Sequence, residues 1–246
     1  LFKYLTDKDL FSEIYRNQLA KRLLNQRSAS DDMERQMIGK LKKEATAQFT
    51  SKMEGMMNDL SIGVEHQTRF DDFFREYKKR PENLATVGSI DYTVQILTQG
   101  YWPTYKNFSP NLPSSMSECK RVFEDNYASH DDTQKRRLAW QWTLGGATVK
   151  ATYGRKSYDF QVSTLQAVLL HHFSGTSDPI SLTELSSKMG VENDAVKRVI
   201  HSLVYHKYRV LKRIPGPSSE GSSSKGSINA DDSFYVDPSF RYMSQA

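Results

Sequence analysis

The 246-residue chain has one cysteine, no long apolar run and no third in which charge of one sign dominates. Each shortage excludes something. A lone Cys119 forms no internal disulfide and no thiolate metal site by itself, so a reducing compartment, cytosol or nucleus, is the expected setting. The longest apolar runs, such as Ala167-Val168-Leu169-Leu170, fall far short of the roughly 18 to 20 residues that cross a bilayer, and no membrane partner is expected. The patterns GxxxxGK[ST], GxGxxG and GxSxG are missing, which removes the usual phosphate cradles and the nucleophile elbow. The adjacent His171 and His172 diverge by about 100° on a helix, and His201 and His206 are also off-face, so neither pair chelates a metal. Asp125, Asp131 and Asp132 have no apolar cage to split their pKa values and read as solvated. No catalytic residue, cofactor or metal is expected. The chain opens on Leu1 ahead of a helical pattern, with no basic-then-apolar leader, and reads as a piece of something longer.

What the sequence does have is a core. Apolar residues make up 37% and aromatics 11%, with 13 Tyr and 12 Phe, enough to offset the ordering cost of a packed fold. The net charge of +5 is spread thinly: 16 basic against 13 acidic residues over 1–80, and 9 against 8 in each of 81–162 and 163–246. Lys78-Lys79-Arg80 and Lys135-Arg136-Arg137 read as solvated clusters at element boundaries.

Three kinds of pattern follow one another. Phe11, Tyr15, Leu19 and Leu23, flanked by Leu10, Ile14 and Leu24, predict one amphipathic helix; Met33, Met37, Leu41, Ala45, Phe49, Met53 and Met57 predict a second, long one capped by Ser30. A third, shorter helix carrying Val64, Phe70, Phe73, Phe74 and Tyr77 is expected to stop at Pro81. Residues 1–85 thus read as part of a helical bundle. From about residue 90 the period becomes 2: Tyr92, Val94 and Ile96 predict a strand, Leu138, Trp140, Trp142 and Leu144 a second, and Val149, Ala151 and Tyr153 a third, with Gly145-Gly146 as a hairpin turn. Another turn at Gly154-Arg155-Lys156 leads to Tyr158, Phe160 and Val162. One helix from about Pro113, with Met116, Cys119, Val122, Phe123 and Tyr127 inward, packs on this small antiparallel sheet, making 86–162 an α/β layer. In 163–246, helices from Ser163, Ser181 and about Asn193, a strand at 208–211, a Gly/Ser/Pro-rich loop at about 215–230 and a returning strand at 234–236 predict a winged helix. The fold class is therefore α+β, mostly helical.

Two physical leads to function remain. The third helix of the winged unit offers Lys197, Arg198, His201 and Lys207 outward, as a nucleic-acid reader would, but Glu192 and Asp194 stand at the end that would approach the bases, and carboxylates near phosphates are costly. Nucleic acid is the alternative rather than the leading partner. The sheet is short, edge-rich and aromatic, so it suits accepting a strand from another chain. Trp102, Trp140 and Trp142 could equally fill a seam.

The runs Phe2-Lys3-Tyr4-Leu5-Thr6-Asp7-Lys8-Asp9-Leu10-Phe11, Leu19-Ala20-Lys21-Arg22-Leu23-Leu24, Phe49-Thr50-Ser51-Lys52-Met53-Glu54-Gly55-Met56, Val94-Gln95-Ile96-Leu97-Thr98, Gly100-Tyr101-Trp102-Pro103 and Val162-Ser163-Thr164-Leu165-Gln166 stand in an order that resembles the cullin homology region. The resemblance covers essentially the whole chain, and around Gln48–Met56 and Tyr101–Leu112 is most similar to the plant cullin-1 branch. It implies a non-catalytic scaffold of a multisubunit ubiquitin ligase of the Skp–cullin–F-box type. Its sheet would take in a strand of an Rbx-type RING protein, whose zinc lies in that partner and which recruits the ubiquitin-conjugating enzyme. By position, 90–98 and 137–153 would form the RING-protein cradle. Tyr92, Val94, Ile96, Leu138, Trp140 and Trp142 would be contact residues there, with Trp102 bracing, and 163–214 would be the first winged helix. On this resemblance the family's adaptor-binding stalk is not expected within these residues, and no lysine matches the acceptor of its ubiquitin-like modifier. His130-Asp131-Asp132-Thr133-Gln134 departs from the family's glycine-containing turn. A truncated competitor that occupies the RING protein is a third reading.

Overall fold

Asp7 opens the first helix, because its carboxylate accepts the Leu10 N–H at 2.9 Å and satisfies a donor that the first turn leaves orphaned. In the computed structural model, which describes residues 2–25, 28, 30–45, 47–206, 208–217 and 227–241, a 3-10 turn (Phe2–Tyr4) precedes α1 (Lys8–Leu24), α2 (Asp31–Glu44), α3 (Ala47–Lys78), α4 (Pro81–Val87) and α5 (Ser114–Ala128). The chain forms two compact units and passes between them three times: residues 1–105 and 115–138 make one, residues 106–114 and 139–246 the other.

In the first unit, Leu19, Ala20 and Leu23 of α1, Ile38 and Leu41 of α2, and Met53, Met56 and Met57 of α3 form one buried cluster with Trp102. Arg22 grips Glu34 through Nε and Nη2 at 2.7 and 2.9 Å, tying α1 to α2. Further along α3, Phe70 stacks on Phe74 and meets Phe123 of α5 edge-on, with Cys119 and Val122 buried alongside on α5. Burying each such ring stabilises by about 1.5–3 kcal/mol.

Two helix boundaries differ from the reading of the sequence. The methionine run is cut at Ala45, whose backbone is extended (φ −126°, ψ −171°), and α3 then joins without a break the stretches read as a second helix up to Met57 and a third from Val64. The reason is geometric. A strict i+4 step advances about 40° beyond a full turn, so seven such residues cannot share one face of a single helix; Met33 and Met37 are exposed, whereas Met53 and Met57 are buried. Leu10 and Ile14 are likewise exposed, off the buried stripe. Pro81 starts α4 at its first position, where its missing N–H costs nothing.

In the second unit, β1 (Gly146–Tyr153) and β2 (Lys156–Ser163) pair antiparallel with Val149 opposite Phe160 and Ala151 opposite Tyr158. The two-residue turn between them puts Gly154 at φ 61°, a conformation that favours glycine. Phe240 packs on Tyr153, Tyr158 and Phe160 and covers the aromatic face of this ladder. Then come α6 (Thr164–His171), β3 (Ile180–Ser181), α7 (Leu182–Met189), α8 (Asn193–Tyr205), β4 (Leu211–Ile214) and β5 (Ser233–Val236), with sheet order β3-β5-β4, all antiparallel. That is the expected winged-helix order, with the first wing strand three residues later than read. Ser163 and Gln166 form a reciprocal capping box at the start of α6. Residues 218–226 of the Gly/Ser/Pro-rich stretch, and Lys207, lie outside the described residues.

The sheet of 86–162 needs the larger correction. Only the 146–163 ladder is present there among the described residues; 90–98 and 138–144 belong to neither sheet. Gly145-Gly146 is not a hairpin turn. The turn lies just before it, closed by the Leu144 N–H on Gln141 C=O at 3.2 Å. Gly145 is needed for close approach instead, since a Cβ there would collide with Thr164 Oγ1.

Candidate strand-docking site

Tyr92, Val94 and Ile96 are half-buried and alternate with exposed Asp91, Thr93 and Gln95, so the period-2 pattern is real although no ladder uses it. In an extended chain the N–H and C=O of one residue point to the same edge, and those of the next residue to the other. Helix α3 holds the even edge. Gln67 Nε2 donates to Tyr92 C=O at 3.3 Å, and Gln67 Oε1 accepts the Val94 N–H at 2.8 Å. Two turns earlier, the buried carboxylate of Asp59 accepts the Thr98 N–H, the Thr98 hydroxyl and the Trp102 indole N–H, each at 2.7 Å. Among the described residues, nothing bonds to the backbone of Thr93, Gln95 or Leu97 on the odd edge.

Burial pushes the Tyr92 hydroxyl pKa far up and leaves it neutral. Trp102 is buried at the corner that ends this segment, so it supports the segment from inside. Leu138, half-buried, closes the first unit.

In the second unit, Trp140 and Trp142 sit two residues apart on one side of an extended stretch, their rings stacked at 5.3 Å and 12°. Asn107 holds one edge of this stretch as Gln67 does in the other unit: its Nδ2 donates to Trp140 C=O at 2.6 Å and its Oδ1 accepts the Trp142 N–H at 2.9 Å. The seven residues singled out from the sequence are therefore two separate groups, one in each unit. Sequence reasoning missed Gln67, Asp59 and Asn107. A single acid between Met57 and Leu60 on an apolar stripe was the one available signal for Asp59; a carboxamide side chain carries none.

The other candidates fare differently. Cys119 is buried and its thiol is pushed up to about 11 by burial, which makes it a poor nucleophile. On α8, Lys197 lies 3.7 Å from Asp194, while Arg198 and His201 are exposed beside a shallow recess at Ser227 and Ile228. Among the described residues, no three His, Cys, Asp or Glu side chains converge on a point, and no helix is long and apolar enough to cross a membrane.

Comparison with known proteins agrees with this architecture. Residues 96–240 match the cullin alpha+beta domain and residues 1–67 the cullin alpha solenoid domain. The chain is 39% identical to cullin-1 of Oryza sativa subsp. japonica over 219 residues, covering 89% of this chain and 28% of that protein. It is 38% identical to cullin-4A of Mus musculus over 231 residues (94% and 29%) and 37% identical to cullin-2 of Arabidopsis thaliana over 215 residues (87% and 28%). The chain thus spans less than a third of the relatives it matches, and identities this close single out no branch. With two family domains matched in order over most of its length, the chain belongs to the cullin family.

Proposed function

We propose that this chain is the part of a cullin-RING ubiquitin-ligase scaffold that holds an Rbx-type RING protein by β-strand addition. The ubiquitin-conjugating enzyme is bound through that RING protein, whose zinc stays in the partner. The chain itself makes and breaks no bond. Its contribution is the raised effective concentration and fixed orientation of any tether. The reading extends to the Skp–cullin–F-box type on the cullin-1 likeness of Gln48–Met56 and Tyr101–Leu112, and to work in the cytosol and nucleus.

The observation that supports it is the extended segment 92–98, pinned along one edge by α3 and bare along the other. An edge of unpaired amides and carbonyls invites a strand. The nucleic-acid reading finds less support, since Lys197 is engaged by Asp194 at the end of α8 that would meet phosphates.

Co-expression with an Rbx-type RING protein tests the proposal. A 1:1 complex in which amide exchange slows at Thr93, Gln95 and Leu97 is the expected result. Failure to form a complex with any such protein sinks it, and a truncated competitor would bind yet block chain formation by an intact cullin.

A further inference from the structure

Two carboxamides, one in each unit, make the same pair of bonds to an extended stretch. Gln67 and Asn107 each donate to the C=O of one residue (Tyr92, Trp140) and accept the N–H of the residue two further on (Val94, Trp142). A single residue of a neighbouring parallel strand makes this pair of bonds in a ladder, through its own N–H and C=O. Gln67 is itself fixed, its Nε2 also donating to Asp71 Oδ1 at 2.6 Å, and it projects from a helix rather than a loop. Asn107 sits four residues before Asn111, whose N–H donates to Met189 C=O at 2.7 Å and anchors the 106–114 segment.

We propose that Gln67 and Asn107 are surrogate strands: positioning residues that extend 92–94 and 140–142 before any partner arrives, occupy one edge of each, and so leave an incoming strand what remains of the other, the whole odd edge in 92–98 and the Gln141 N–H in 140–142, where the Leu144 N–H already takes the Gln141 C=O. This rests on the strand-addition reading above. The gain is pre-organisation. An extended stretch held in advance has less backbone freedom to lose when a partner strand pairs with it. The edge choice also sets register. A strand on the odd edge of 92–98 meets the amides of Thr93, Gln95 and Leu97, leaving Tyr92, Val94 and Ile96 on the face already half-buried.

The test uses Gln67→Met and Asn107→Leu, each similar in size and without polar atoms, in the full chain with an Rbx-type RING protein as the probe. Amide exchange at Val94 in the first variant and at Trp142 in the second is expected to speed up about tenfold, with the unfolding midpoint nearly unchanged. Affinity for the RING protein should fall about five- to tenfold in each. If the variants bind within about twofold of the unaltered chain, or their exchange does not change, the surrogate-strand role is wrong while strand addition stands. If the unaltered chain does not bind, the strand-addition reading fails and takes this inference with it. Should one variant fail to fold, the other, in the separate unit, still decides.

Discussion

Gly55 has no room for a side chain: a Cβ there would lie 2.5 Å from the Tyr101 ring, close to its base as well as its edge. Alanine is the better helix former, yet the ring would have to give way. Gly55→Ala is therefore expected to destabilise the first unit by about 1–2 kcal/mol net, read from the urea midpoint. Glu118 makes a different test. Hydrogen bonds from Arg121, and then from Tyr77, hold its carboxyl down at about 2, from an ordinary 4.5. A depressed carboxylate stabilises fully above its unfolded value and loses that contribution as pH falls towards the folded one. Stability should accordingly drop between about pH 4.5 and 2, and the Glu118→Gln variant should show a shallower slope in the same window. The Cys119 thiol, buried and raised to about 11, should stay inert to a thiol reagent in the native state and react on unfolding.

The wing shows what holds an element together. Asp232 is fully buried at its base, where Arg213 Nε lies 2.8 Å from Oδ2 while the Gly216 and Asn229 N–H groups donate to its two oxygens at 2.9 and 2.7 Å. Removing that carboxylate strands a cation and two amides. Asp232→Ala should cost about 2–4 kcal/mol and loosen β4 and β5 first, visible as faster exchange at Lys212 and Tyr235. Helices of this chain were legible because a 3.6-residue period needs nothing beyond local sequence: α5 to α8 fall where their apolar stripes and caps put them. Alternation marked 90–98 and 138–142 as extended just as well. What alternation cannot tell is whether a neighbour exists to pair with, and that is why two expected strands lie outside any sheet. The same limit hid the clasps, since Gln67 stands 25 residues from Tyr92 and Asn107 33 from Trp140.

Across the whole molecule, neither unit is a continuous stretch of chain. The first needs 115–138 as well as 1–105, and the second borrows 106–114. Residues 1–105 alone would lack α5, leaving Phe70 without Phe123. That fragment is expected to bind the dye ANS and aggregate on a sizing column, whereas 1–138 should not. The interleaving also orders events on the ribosome. The aromatic packing of Phe70 waits for α5 to emerge, and by then the strap that carries Asn107 and Asn111 has been laid out with nothing to fasten to. Its buckle, the Met189 carbonyl, is synthesised 78 residues after Asn111. A nascent chain stalled in that interval would present an unfastened strap, a natural handle for a chaperone.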